Sequence, residues 1–211
     1  RLGLTRAEYM PFLIDTKRYA PREEPLRKEF EAQHGPGPFL FSPARQAWAV
    51  KGNDKMLRAL ARLSQEYPSL RLILASWGVD LEVSQRLVHE LGLDHVVIWV
   101  PLMSKPRLIR YYNAVDVVLD QFNLGAYGTS TLEAMACGKP VVMHFDDDAG
   151  RLCYPELPPL VRARTESEIV AALGRLLAQP EHRAEVGLAS QAWIERFHGP
   201  DVVVERHLRA Y

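Results

Sequence analysis

The sequence predicts an α/β fold, a parallel sheet covered by helices on both faces, and three observations predict it. Short runs of Val, Ile, Leu and Phe recur from Phe39 onward, and amphipathic helical segments separate them. The apolar runs are near-continuous rather than alternating, as strands buried on both faces require. Proline and glycine punctuate the junctions, so that strand and helix alternate regularly.

Taken in order, residues 1–38 are rich in charge, proline and glycine and end in His34-Gly-Pro-Gly-Pro38. They read as a connector carrying one short helix over 24–32. Phe39-Leu-Phe41 is the first strand, followed by a long loop to Lys51-Gly52. Asn53 is expected to cap a helix whose Met56, Leu60, Leu63 and Tyr67 recur at helical spacing, and Pro68 stops it. Leu70 to Ala75 is the second strand, and residues 79–91 form the next helix, closed by Gly92. Val96 to Val100 is the third strand, ended by Pro101, and Ser104 is expected to cap a helix over 105–113. Val115 to Leu119 is the fourth strand. Pro140 to Phe145 is the fifth, and 158–161 a short sixth. Helices over 166–178, 180–197 and 200–210 complete the chain. The expected organisation is a connector over 1–38, a sheet domain over 39–180 and C-terminal helices over 181–211.

The totals narrow the function. A chain of 211 residues buries one sizeable core, with or without an extension. The 26 basic and 26 acidic residues balance, which argues against nucleic acid or an anionic surface as the organising partner. No apolar run approaches bilayer length, no signal peptide opens the chain, and an opening Arg1 suggests that the true N-terminus lies upstream. Cys137 and Cys153 have neither metal nor disulfide-framework spacing, so reduced thiols and a cytoplasmic location are expected. The scattered histidines give a metal site little support. Asp146-Asp147-Asp148 cannot converge on one ion and reads as a solvated loop or helix cap. No Gly-x-Gly-x-x-Gly and no Walker loop is present. All four tryptophans, Trp48, Trp77, Trp99 and Trp193, read as packing residues; Trp48 and Trp77, near strand ends, are also candidates for a cleft wall.

The chemistry-bearing stretch is Gly125-Ala-Tyr-Gly-Thr-Ser-Thr-Leu-Glu-Ala-Met-Ala-Cys-Gly-Lys-Pro-Val-Val142. Gly128-Thr129-Ser130 reads as a helix N-terminus whose free N–H groups and dipole suit a phosphate. Glu133 lies one turn inside, and Gly138 ends the helix. Ser130-x-x-Glu133 also has the spacing of a capping box, so Glu133 has two roles open to it, cap and acceptor for a ribose diol. Gly128 has the further option of simply permitting a tight turn. In the loop after the first strand, Arg45 and Lys51 lie six apart. They suit one anion, as a bidentate fork and a point charge; solvated loop cations are the plain alternative.

At these residues the chain resembles the C-terminal domain of retaining glycosyltransferases of the two-domain, Rossmann-like GT-B architecture. The resemblance runs from about Phe39 to Phe145 and is strongest over Ala114 to Val142; Ile14 to Pro21 is similar to the segment leaving the interdomain crossing. It implies a doubly wound parallel sheet with extra C-terminal helices, facing an N-terminal Rossmann domain of the same protein. It implies further that Arg45 and Lys51 hold the diphosphate of a nucleotide-sugar donor and that Glu133 binds the ribose. The N–H groups of Gly128 and Thr129 would approach the distal phosphate beside Ser130, and the main chain near Leu102 and Met103 would meet the base. Transfer would need neither cofactor nor metal, because these cations and dipoles stabilise the leaving diphosphate. The family motif has a second glutamate eight positions before Glu133, where this chain has Gly125.

The expected function is the donor-binding half of a glycosyltransferase acting on an unknown acceptor, inactive in isolation, with membrane docking of the intact protein left open. Two alternatives stand beside it: a non-catalytic binding module, favoured by Gly125, and a sugar-nucleotide epimerase.

Overall fold

The structure, a computed structural model, describes residues 9–210. The first eight residues of the expected connector, and Tyr211, lie outside the described residues.

Six parallel strands form one sheet: β1 (Phe39–Ser42), β2 (Arg71–Ala75), β3 (Val97–Val100), β4 (Val117–Leu119), β5 (Val141–Met143) and β6 (Val161–Arg162). Their order is β3-β2-β1-β4-β5-β6. Leu40 pairs with Leu72 on one side and Val117 on the other, so the winding direction reverses between β1 and β4. At such a reversal the following connections leave toward opposite faces, and a crevice opens at the carboxyl ends of the strands.

The helices are α1 (Leu26–His34), α2 (Trp48–Lys51), α3 (Asn53–Glu66), α4 (Leu81–Glu90), α5 (Lys105–Ala114), α6 (Thr129–Ala136), α7 (Asp147–Cys153), α8 (Glu166–Ala178), α9 (Pro180–His198) and α10 (Pro200–Ala210). Side chains along each strand alternate between two apolar layers. Phe39, Phe41, Ile73, Val118 and Met143 face a layer built with α1, α5, α6 and α9. Leu40, Leu72, Leu74, Val117 and Val142 face the layer of α3, α4 and α8. Phe39, Leu40 and Phe41 have no exposed surface. Burial of each contributes about 1.5–3 kcal/mol, which is why strands this short hold their register.

Several local expectations change. The loop after β1 contains α2, too short to leave a periodic pattern. Gly52, at φ +64°, ends α2 and precedes α3, so Asn53 is a helical residue rather than a cap. Its side chain instead accepts from Ala47 N at 2.9 Å and donates to the Arg45 carbonyl at 3.3 Å, fixing the loop. Ser104 precedes α5 but makes no capping hydrogen bond. The acidic triplet is a cap: Asp146 Oδ1 accepts from Asp148 N and Ala149 N at 3.0 and 3.1 Å, starting α7. Loops on neighbouring strands also touch. Gln46 N donates to the Trp77 carbonyl at 2.8 Å, and Gly78, at φ +120°, passes so close that a Cβ there would lie 2.3 Å from the Gln46 carbonyl oxygen.

The C-terminal helices return across the sheet, with α9 packed on α6. At the end of α9 the buried His198 accepts from the Tyr154 hydroxyl at 2.9 Å through Nε2. Through Nδ1 it donates to the Phe12 carbonyl at 2.7 Å, while Ile14 N donates to the His198 carbonyl at 2.9 Å. These bonds stitch the segment before α1 to α9. Burial pushes the imidazole down to about 4, and the bond to Phe12 opposes the shift only in part. The folded chain therefore refuses a proton that the unfolded chain accepts below the ordinary value near 6.5. This contribution is intact above that pH, is lost as pH falls toward 4, and amounts to about 3 kcal/mol in the limit. Urea unfolding near pH 7.5 and pH 5 should show the decline, and His198→Gln should flatten it; an unchanged slope in the variant would contradict the assignment.

Candidate functional site at the reversal of strand order

The connections after β1 and β4 meet across the reversal. Phe122 N donates to the Lys51 carbonyl at 2.8 Å, and Asn123 Nδ2 donates to the Trp48 carbonyl at 2.8 Å. Asp120 follows β4 directly and is 1% exposed. Its Oδ1 lies 2.9 Å from Lys51 Nζ at the end of α2, and its Oδ2 accepts from Thr131 Oγ1 at 2.5 Å in the first turn of α6. One buried carboxylate thus holds both edges of the crevice. A lone acidic residue immediately after an apolar strand was the available signal for it in the sequence, and the sequence reading overlooked it.

Between these edges opens a cavity of about 630 Å³, lined by Arg45, Lys51, Trp77, Leu102, Met103 and Lys105, with Ser130 beside them. The two cations expected to hold an anion therefore share one rim with the helix start. Arg45 is exposed, whereas Lys51 is paired with the buried Asp120. Trp77 lines the cavity as expected. Trp48 does not: its indole donates to Ser84 Oγ at 2.8 Å and packs below the sheet.

The glycine-led helix differs from its local reading in three respects. Gly128 has extended backbone, φ −110° and ψ −177°, so no turn requires glycine there, and a Cβ would meet only Ser130 Oγ at 3.9 Å. Gly128 and Thr129 do not line the cavity themselves; they lead into Ser130, which does. No side chain caps α6, so the amides of its first turn remain available to a ligand. The capping box is absent because α6 starts at Thr129, with Gly128 at its cap position, so Ser130 lies inside the first turn, and Glu133 bonds elsewhere. It is 4% exposed, pairs with Lys105 Nζ, and accepts from the Tyr112 hydroxyl at 3.5 Å. Burial, and then the nearby Glu133 charge, push the Tyr19 hydroxyl up to about 12. Residues 131–136 of α6 are all buried, between the sheet, α5 and α9.

A smaller recess of about 240 Å³ lies beyond the motif, walled by Tyr9, Phe12, Tyr127, Phe145 and Tyr154 beside Gly125. Gly125 has φ +76°, and a Cβ on it would sit 3.2 Å from His144 Nε2. Gln121, fully buried, fixes this loop by accepting from Leu124 N at 2.6 Å and donating to the carbonyls of Ala126 at 2.6 Å and His144 at 3.0 Å. Among the described residues no group of three or more His, Cys, Asp or Glu side chains could hold a metal, and no helix is long and apolar enough to cross a membrane.

The sheet is doubly wound, and its cations, an uncapped helix and a buried carboxylate gather around a cavity at the reversal, the place where α/β domains of this kind bind ligands. The family described as glycosyl transferases group 1 matches residues 24–193, and the chain belongs to that family. The match extends well beyond the Phe39–Phe145 span of the resemblance, taking in α1 and most of α9. The chain is 29% identical over 196 residues to the GDP-mannose-dependent α-(1-6)-phosphatidylinositol monomannoside mannosyltransferase of Mycolicibacterium smegmatis. That alignment covers 88% of this chain and 51% of the mannosyltransferase. It is 31% identical over 165 residues to a D-inositol 3-phosphate glycosyltransferase of Saccharomonospora viridis, covering 70% of this chain and 37% of the relative. The chain therefore spans about half the length, or less, of these relatives.

Among solved structures, the C-terminal domain of a Francisella tularensis glycosyl transferase group 1 protein has a TM-score of 0.69 at 20% identity. The alignment covers 89% of this chain and 99% of that one. Anabaena HepE, solved with UDP and glucose, has a TM-score of 0.79 at 16% identity, covering 95% and 55%. Both establish the GT-B type of fold for this chain.

Asp120→Ala is expected to cost about 3 kcal/mol in chemical denaturation, as for removing one partner of a buried pair. A loss below about 1 kcal/mol, the worth of an exposed pair, would show that the seam does not depend on this carboxylate.

Proposed function

We propose that this chain is the donor-binding half of a glycosyltransferase that takes its sugar from a nucleoside diphosphate and passes it to an acceptor still to be identified. The observation that carries the reading is the convergence of Arg45, Lys51 and the start of α6 on one cavity at the strand ends. Arg45 and Lys51 would hold the diphosphate, the amides of Gly128 and Thr129 beside Ser130 would meet its distal end, and Glu133 would accept from the ribose diol. The main chain at Leu102 and Met103 would border the base. HepE is solved with UDP and glucose and with UDP-glucose, and the mycobacterial relative is named for GDP-mannose, so both bases are reasonable probes.

Charge develops on the departing diphosphate during transfer. Preorganised cations and helix amides favour that state over the bound donor, without requiring a metal. The reacting carbon would be completed by an N-terminal Rossmann domain closing over the rim. The chain alone would then bind nucleotide and transfer nothing.

Calorimetric titration should show UDP or GDP binding, weakened about tenfold or more by Arg45→Ala or Lys51→Ala, the worth of a charge-assisted hydrogen bond. Chelator should leave the affinity unchanged. No heat with either nucleotide would defeat the reading, and loss of binding on chelation would defeat its metal-free form.

A second reading, a non-catalytic module of the same fold, is favoured by Gly125. A glutamate there would meet a left-handed backbone and the His144 ring. Gly125→Glu is expected to lower stability by about 1–2 kcal/mol from backbone strain alone, read as a fall in thermal midpoint. An unchanged midpoint would mean that the loop accommodates the carboxylate and that its absence is not imposed by the fold.

A further inference from the structure

Glu133 has more partners than a free acceptor should have. Its carboxylate is almost completely enclosed, pairs with the Lys105 ammonium and accepts from the Tyr112 hydroxyl. Lys105 lines the cavity and Glu133 does not, so a ribose diol coming from the cavity must displace the ammonium to reach the carboxylate. The tyrosine cannot yield. Tyr112 has no exposed surface and its ring packs 5.8 Å from that of Phe41. Lys105 can yield. Its side chain is 51% exposed, stands at the first position of α5, and lines the same cavity as Arg45 and Lys51. A flexible four-carbon stem lets its ammonium leave the carboxylate without moving the backbone.

We propose that Lys105 is a latch on Glu133, its ammonium competing with the ribose diol of a nucleoside diphosphate for that carboxylate. The inference rests on the donor-site reading and deepens it by naming the residue that sets the cost of engaging the ribose. With the latch closed, the buried carboxylate is paired and its orientation is held. With it displaced, the Tyr112 hydroxyl and two sugar hydroxyls satisfy the carboxylate, and the half-exposed ammonium swings out to solvent. Lys105 acts through Glu133 and is therefore a positioning residue. A ligand lacking the diol has no reason to open the latch.

The test compares the wild-type chain, Lys105→Met and Lys105→Arg by calorimetric titration with UDP and GDP and with their 2′,3′-dideoxy counterparts. Removing the competitor should tighten binding of the ribonucleotide about threefold to fivefold, the size of a half-exposed ion pair, and leave the dideoxy form unchanged. Lys105→Arg, which can grip both carboxylate oxygens, should weaken ribonucleotide binding and again spare the dideoxy form. Wild-type binding with no gain in Lys105→Met, or an equal gain for the dideoxy ligand, overturns the latch alone. No binding of any nucleotide by the wild type, with the fold confirmed by circular dichroism, overturns the donor-site reading and the latch with it.

Discussion

The buried carboxylate of Asp120 is the contact on which the rim depends. The reversal of winding between β1 and β4 sends two connections toward opposite faces, and beyond the strand ends the bonds from Phe122 N to the Lys51 carbonyl and from Asn123 to the Trp48 carbonyl join them only on the β1 side of α6. Asp120 joins them by accepting from Lys51 on one side and Thr131 on the other. A charge this deeply enclosed is tolerated only because it is paired and hydrogen-bonded. Its constraint on geometry therefore matters more than its net contribution to stability. It also holds Lys51 in a buried pair while Arg45 is exposed, so the two cations of the rim differ in setting as well as in shape.

The start of α6 illustrates a conflict between local and global preference. Local rules favour a capping box between Ser130 and Glu133, which would close the helix end to ligands. The structure instead starts the helix at Thr129, which puts Ser130 inside its first turn, leaves Glu133 to Lys105 and Tyr112 of α5, and leaves the amides uncapped. Departures from local consistency of this kind concentrate at sites with a task. Here a single departure leaves donors available at the helix end and places an acceptor close by.

The segment before α1 and the end of α9 form a second organised region on the far side of the motif. Tyr9, Tyr127, Tyr154 and His198 share hydrogen bonds, and the rings of Trp193 and Phe197 surround Tyr154. The connector is thus part of the packed structure from at least Tyr9 onward. Its low apolar content concealed this, because a few aromatic anchors and one buried imidazole do the holding.

Strand and helix positions were legible in the sequence to within about two residues at most ends, since apolar period and proline or glycine punctuation are local quantities. The convergence of Arg45, Lys51 and Ser130 was legible too, because parallel strands place every following loop on the same rim. Other features depended on neighbours remote in the chain. Asn53 turned inward to the Arg45 loop, Trp48 turned below the sheet, and Glu133 left its own helix for Lys105 and Tyr112. Nothing within a turn of these residues encodes those partners. Periodicity and spacing determined the fold class and the rim. Only tertiary packing decided which polar atoms are engaged, because a buried donor or acceptor must find a partner wherever the fold brings one.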